Sequence, residues 1–481
     1  MSQKEIKVKT LGMTRVPFGV SSSPFLLAAT VRHHLKQYEE ENPKVVRTIR
    51  ECLYVDDFIS GADSSGAAEE LCVKAREIMA SAGMDLCKWK TNSPELQQKW
   101  SQERQEQGKD STPLKVLGLV WKSETDEFVF EMAEVINYVK DKRLTKRAVL
   151  QTASRIFDPI GFLSPFIIRA KIMFQEMWER GLDSDEELPM DLAACWKEWC
   201  EELQDVSKVS INRRYDKQSN QNKNSQEMQE IHVFCDASER AYCATAYLRT
   251  TKLDGTGTVS LISAKTKVAP LKRVTLPRLE LLGALIGARL GNCLSKILSL
   301  SNVKCNFWTN SMITIHWIKS TAKQWKPFVA NRVAEIQSLT LPENWRHCKG
   351  KENPADHGTR GLNSETLAVD KLWWNGPSWL HSADLTSAEE INTPLPTGEC
   401  IAQNQVLEDS EDVCSVTEPI LKLKNYSSLN KLLRVTAWVM RFVHNLRNTE
   451  KQRGELCAQE IEAAEKYWIR LTQVKSFSKE M

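Results

Sequence analysis

The stretch Ile231-His232-Val233-Phe234-Cys235-Asp236-Ala237-Ser238 reads as an apolar strand that ends in an acid and then small residues. Tyr242 to Leu248 and Val259 to Ala264 read as two further strands. Lys272-Arg273-Val274-Thr275-Leu276-Pro277-Arg278-Leu279-Glu280 opens a helix running to about Leu290, with Thr275 as its cap and Pro277 in its first turn. Asn306-Phe307-Trp308-Thr309-Asn310-Ser311 is a strand end, and Met312 to Lys319 and Phe328 to Leu339 are helical. Trp345-Arg346-His347-Cys348 is a last strand before Asn353-Pro354-Ala355-Asp356. Taken singly, Asp236, Glu280 and Asp356 are surface or capping carboxylates. Taken together, they stand at the ends of elements, where acids from distant positions converge on one sheet edge, as two-metal nuclease chemistry needs.

The quoted segments, with Leu276-Pro277-Arg278-Leu279-Glu280-Leu281 and Phe328-Val329-Ala330-Asn331-Arg332-Val333, resemble ribonuclease H-type domains of BEL/Pao LTR retrotransposons. The resemblance implies Mg²⁺ as cofactor, an RNA–DNA hybrid as partner, and four acids at Asp236, Glu280, position 310 and Asp356. Position 310 is Asn310. An amide keeps one carbonyl oxygen but loses the charge that neutralises Mg²⁺. The expectation is hybrid binding with cleavage strongly reduced. Lys265, Lys267, Lys272, Arg273 and Arg278, with Lys349 and Lys351, are the candidate phosphate contacts; a solvated basic face is the plainer reading.

Further upstream, Val45-Val46 and Cys52 to Val55 read as strand, Asp56-Asp57 as a turn pair and Phe58-Ile59-Ser60 as the returning strand. Leu114 to Trp121 reads as one strand, and 64–82 as a helix. Adjacent carboxylates on a rigid turn suit a hard cation. Tyr54-Val55-Asp56-Asp57 resembles the Tyr-x-Asp-Asp palm motif of reverse transcriptases, and Val16-Pro17-Phe18-Gly19 resembles the segment that precedes it. Leu86 to Ser93 and Lys115 to Trp121 resemble later palm strands, and Thr145-Lys146-Arg147 through Ser164-Pro165 the thumb-to-connection region. The resemblance makes Asp56 and Asp57 metal ligands for a template–primer. It also places a third acid on an earlier strand, and none of the eleven residues before Gly12 is Asp. The expectation is therefore an incomplete palm with exposed strand edges and apolar faces, and no polymerase activity.

The fold class expected is α/β and α+β multidomain. Residues 1–130 read as a partial palm, 131–215 as a mainly helical thumb and connection, and 216–230 as a polar linker. Residues 231–362 read as a ribonuclease H-like mixed sheet with flanking helices, and 363–426 as a linker with an aromatic segment, Leu372 to Leu380. Residues 427–481 resemble the helical lead-in to an integrase, with Leu429, Leu432, Leu433, Val439, Met440, Val443 and Leu446 on one face.

Composition sets the outer bounds. In 481 residues, 41% apolar and 26% charged, wholesale disorder is excluded. The net charge is only +3, so any basic surface is local and balanced by acid elsewhere, as in Glu408 to Asp412. No apolar run reaches membrane length and the first residues lack a signal core, and the expectation is an intracellular, cytoplasmic chain with no membrane partner. Thirteen cysteines at irregular spacing read as reduced thiols. Fifteen tryptophans, several beside Lys or Arg, read first as packing and second as base-stacking rings. Three readings remain: a fragmentary retroelement enzyme, a co-opted non-catalytic nucleic-acid or protein binder, and one piece of a split polyprotein whose other parts are its partners.

Overall fold

Proline in the first turn starts the first two helices, α1 (Ser23–Leu35) and α2 (Pro43–Cys52). The computed structural model describes residues 15–16, 19–103, 115–116, 118–215, 228–251, 257–298, 303–382, 428–447 and 454–476. It divides into two units, Met1–Leu395 and Pro396–Met481. Val45-Val46 was expected as strand and is helix. Val46 and Ile49 lie one turn apart and bury together with Val31, Leu35, Ala75, Ile78 and Met79, so packing overrides the β-preference of valine. A two-residue hairpin follows, β1 (Leu53–Tyr54) and β2 (Asp57–Phe58), and then α3 (Ser65–Ala80), capped by the Ser64 hydroxyl accepting from the Ala67 N–H. Leu86 to Ser93 forms no strand; Lys88 takes a left-handed φ of 59° and breaks the extended run. Helix α4 (Pro94–Glu103) closes this part.

The strand expected over 114–121 is two strands, β3 (Lys115–Val116) and β4 (Leu119–Lys122). Gly118 between them has φ 87°, and a Cβ there would stand 2.6 Å from the Phe157 ring. With β5 (Glu127–Val129) they lead into five helices: α5 (Ala133–Lys140), α6 (Lys146–Arg155), α7 (Ser164–Glu179), α8 (Met190–Glu201) and α9 (Leu203–Val206). Strand β6 (Ser210–Asn212) then returns to pair with β5, so one sheet of order β3-β4-β5-β6 joins residues on both sides of position 130. Between α6 and α7, the Asp158 carboxylate accepts from the N–H groups of Gly161, Phe162 and Leu163. That turn aims the Ile160 carbonyl at the Ala264 N–H, 2.8 Å away.

Ala264 belongs to the main sheet. Its strands are β7 (Met228–Ala237), β8 (Ala241–Thr251) and β9 (Gly257–Val268), antiparallel, then β10 (Lys304–Thr309) and β11 (Trp345–His347), parallel to β7. The order is β11-β10-β7-β8-β9. Between β9 and β10 runs α10 (Leu276–Ile297), longer than its sequence suggests, and Thr275 makes no side-chain cap. Helices α11 (Met312–Lys319) and α12 (Pro327–Leu339) separate β10 from β11, and α13 (Ala355–Arg360), α14 (Ser364–Val369) and α15 (Lys371–Asn375) follow.

Both faces of this sheet are covered, which is why β7 is buried almost throughout. Ile231, Val233 and Cys235 pack with Leu281, Ala284 and Ala288 of α10. Phe234, Tyr247 and Trp308 pack on the other side with Phe166, Trp199 and Trp373. The second core joins the helices of 131–215 to the sheet, and Trp373 and Leu380 within it show that the aromatic segment is docked rather than loose. Trp196, Trp199, Trp308, Trp345 and Trp373 are all buried, so packing explains these rings.

The C-terminal unit contains α16 (Leu429–Arg447) and α17 (Ala458–Ser476), which pack on each other through Leu432, Leu433 and Trp468. Of the residues placed on one face, Leu432 and Leu433 are buried, with Thr436 and Ala437 beside them, while Leu429, Met440 and Val443 are exposed. The linker residues 216–227 and 383–427, including the acidic run, and Pro17-Phe18 lie outside the described residues. Among the described residues no helix is long and apolar enough to cross a membrane, and eleven cysteines are free.

Candidate nucleic-acid site

Four positions gather at one end of the main sheet. Asp236 lies at the end of β7, Asn310 directly after β10, Glu280 in the opening turns of α10 and Asp356 in the first turn of α13. The parallel β7–β10 pairing brings the first two level, with Thr309 opposite Cys235. Helix α10 approaches β7 closely because Gly283 faces Asp236: a Cβ there would stand 2.8 Å from the Asp236 carbonyl oxygen.

Each acid has a partner within the chain. Asp236, 2% exposed, accepts from the Thr359 hydroxyl at 3.0 Å, and the Asn310 side chain beside it also favours its charged form. Burial first, then the negative charge of Asp356, pushes its carboxyl up to about 6. Burial likewise pushes Glu280 up to about 7, although the Ser311 hydroxyl donates to it. Asp356 accepts from Arg360 Nε at 2.6 Å. Asn310 Oδ1 is buried with no partner. Among the described residues, no three His, Cys, Asp or Glu side chains stand close enough to hold a metal ion. With a neutral amide at 310, the donor set does not fit a two-ion centre.

Asn353 ties this corner together and had no role in the reading of the sequence. Fully buried, it donates from Nδ2 to the Cys235 carbonyl at 2.9 Å, and its Oδ1 accepts from the Ala355 N–H at 3.1 Å. It thereby holds the start of α13 against the end of β7. Ser311 and Thr359 were missed for the same reason: a hydroxyl beside a carboxylate leaves no pattern along a chain.

The basic candidates are exposed at Lys265, Lys267, Lys272, Arg273, Lys349 and Lys351. Gly350, between the last two, faces Asn310, with a Cβ position 3.7 Å from Nδ2. Arg278 is half-buried, 5.1 Å from the Phe328 ring centroid. Arg332 lies on the same ring at 3.6 Å and was not singled out from sequence. Burial lowers the pKa of His347 below its usual value, and His316 stands edge-on to Trp325.

Asp56 and Asp57 are not part of this corner. Their hairpin packs Leu53 and Phe58 on the separate core of α1 to α3 and leaves both carboxylates exposed. Tyr54 pairs with Asp57, so Val55 and Asp56 form the turn, and Val55 has φ 55°. A β-branched residue in the left-handed region is strained, and such strain gathers at functional turns. Val20, Phe25, Leu26, Tyr54 and Ile59 around this part are exposed.

Residues 145–311 match the family described as the Pao retrotransposon-like RNaseH-like domain. That span takes in α6 to α9 together with β7 to β10, so helices assigned to the connection and strands assigned to ribonuclease H fall under one description. It includes Asp236, Glu280 and Asn310 and stops before Asp356. Among solved structures, the chain is similar to the N-terminal RNase H domain of a Mycobacterium tuberculosis protein fused to maltose-binding protein, with 13% identity, 27% of this chain and 90% of that one covered, and a TM-score of 0.19. It is also similar to the foamy viral protease–reverse transcriptase in complex with dsDNA, with 14% identity, 70% of this chain and 61% of that one covered, and a TM-score of 0.15. No curated protein matches.

Proposed function

We propose that this chain is part of a BEL/Pao-type polyprotein whose RNase H-like domain holds an RNA–DNA hybrid at the corner of Asp236, Glu280, Asn310 and Asp356 and cleaves it weakly or not at all. The observation that carries the reading is Asn310, an amide beside Asp236 where the family pattern has an acid. Such domains use Mg²⁺, and the amide leaves the set one charge short for a pair of ions. Lys272, Arg273 and Arg278 ahead of Glu280, and Lys349 and Lys351 beside Asn310, supply cations for backbone phosphates; Lys265 and Lys267 add to them from β9. The strained turn at Val55 with two exposed acids supports reading Tyr54 to Asp57 as a palm remnant, for which no primer extension is expected.

The full chain, incubated with a labelled hybrid in Mg²⁺ or Mn²⁺, tests this. Salt-dependent binding is expected, with cleavage far below that of Asn310→Asp. Equal cleavage by both proteins overturns the role given to Asn310, and no binding overturns the nucleic-acid reading. Binding without cleavage by either protein favours a non-catalytic binding protein.

A further inference from the structure

Helix α16 carries Lys431, Arg434, Arg441 and Arg447 and no acid. Its inner side buries Leu432, Leu433, Thr436 and Ala437. Lys431, Arg434, Trp438 and Phe442 are exposed and lie three or four residues apart, so they follow one outward stripe. At ~1.5 Å per residue the stripe is about 16 Å long. Its two rings are presented to solvent: Trp438 is 47% exposed and Phe442 64%.

Trp438 is held rather than loose. The Arg441 guanidinium lies 4.7 Å from its ring centroid. Arg441, only 6% exposed, is itself fixed on every side. It donates from Nε to Glu460 at 2.6 Å, from Nη1 to the Gly454 carbonyl at 2.6 Å and from Nη2 to the Glu455 carbonyl at 2.9 Å. A planar cation that cannot move therefore backs a large ring whose remainder is open. Among the described residues no acid pairs with Lys431 or Arg434, so the charge beside the rings is positive. An apolar protein helix docking here would have to bury those cations unpaired. A ligand with flat rings and phosphates uses both features, and stacking tolerates any base.

We propose that the Lys431–Arg434–Trp438–Phe442 stripe binds single-stranded nucleic acid, with bases stacked on Trp438 and Phe442 and phosphates on Lys431 and Arg434. This second site does not depend on the RNase H-like corner.

The test uses the full chain and a single-stranded oligodeoxynucleotide carrying 5-iodouracil, photo-crosslinked and mapped by mass spectrometry, with affinities from fluorescence anisotropy. Crosslinks to Trp438 or Phe442 are expected. Trp438→Ala and Phe442→Ala each weaken binding by roughly fivefold or more, and Trp438→Phe restores most of the loss. Lys431→Gln with Arg434→Gln flattens the log–log salt slope by about 1.4, since each contact to a single strand contributes about 0.7. This charge pair is a second probe that leaves the rings and the helix packing alone. Wild-type affinity in Trp438→Ala with an unchanged slope in the charge pair overturns the proposal. So do crosslinks confined to residues outside 431–442, or an effect of the variants on self-association alone. Hybrid affinity is read in parallel and is expected to stay within twofold in the ring variants, so a failure at the RNase H-like corner leaves this outcome readable.

Discussion

The Asn310 side chain stands beside Asp236 and favours its charged form, while its own Oδ1 is buried without a partner. An amide thus does what a carboxylate could not do there: it approaches a buried acid without repelling it.

Replacing Asn310 by Asp sets two acids side by side in a buried corner. In EDTA at pH 7.5 the variant is expected to lose about 1–3 kcal/mol of stability. Mg²⁺ recovers the loss by binding the folded form, while the parent chain responds little. Thermal melts with and without Mg²⁺ check this; a variant as stable as the parent in EDTA would show the corner to be more open to water than its burial implies.

Asp236, at about 6, and Glu280, at about 7, both titrate above the usual carboxylate range near ~4. The folded chain holds these protons more tightly than the unfolded chain. Their contribution is therefore full below pH ~4 and is lost as pH rises through 6 and 7. Asp236→Asn mimics the protonated form. Its gain over the parent should grow between pH 4 and 7, to at most about 3 kcal/mol. Urea midpoints at pH 4, 5.5 and 7.5 measure it, and a difference that does not change with pH would refute the assignment.

Asn353→Ala strands the Cys235 carbonyl and the Ala355 N–H, at a cost of about 2–4 kcal/mol. Asn353→Asp keeps the acceptor for Ala355 but turns a carboxylate toward the Cys235 carbonyl, and should cost at least as much. Tryptophan fluorescence on denaturation reads both. A harmless Asn353→Asp would mean that the bond to Cys235 is dispensable.

Arg249, 2% exposed, pairs with Glu230 at 2.8 Å and donates to the carbonyls of Leu380 at 2.9 Å and Ser382 at 2.7 Å. It fastens the chain after α15 to the sheet. Arg249→Met leaves Glu230 buried with only the His232 imidazole, 3.6 Å away, beside it and should destabilise by about 3–5 kcal/mol. The double variant with Glu230→Gln recovers part of this. Limited proteolysis should then cut near 380 first; resistance equal to the parent would argue that Trp373 and Leu380 anchor the segment without Arg249.

Local chemistry alone determined the order of elements from 231 to 360 and the positions of its three acids. Apolar residues are frequent in the strands there because both sheet faces are covered, and prolines and small residues punctuate them, so the pattern is written residue by residue along the chain. Asn310 too was legible, as a neutral residue at a place where the resembled family carries charge. Only the tertiary structure decided what those residues touch. Thr359 reaches Asp236 across 123 positions and Asn353 reaches Cys235 across 118. Val45-Val46 became helix because its neighbours in space wanted one face of a helix, and one strand became two because Gly118 meets Phe157. The same limit applied at Trp438, whose flanking charges are visible in the sequence while the fixed guanidinium behind it is not. Secondary structure follows from nearest neighbours except where, as at Val46 and Gly118, distant packing overrides them; burial, pairing and titration depend on groups brought together from far along the chain.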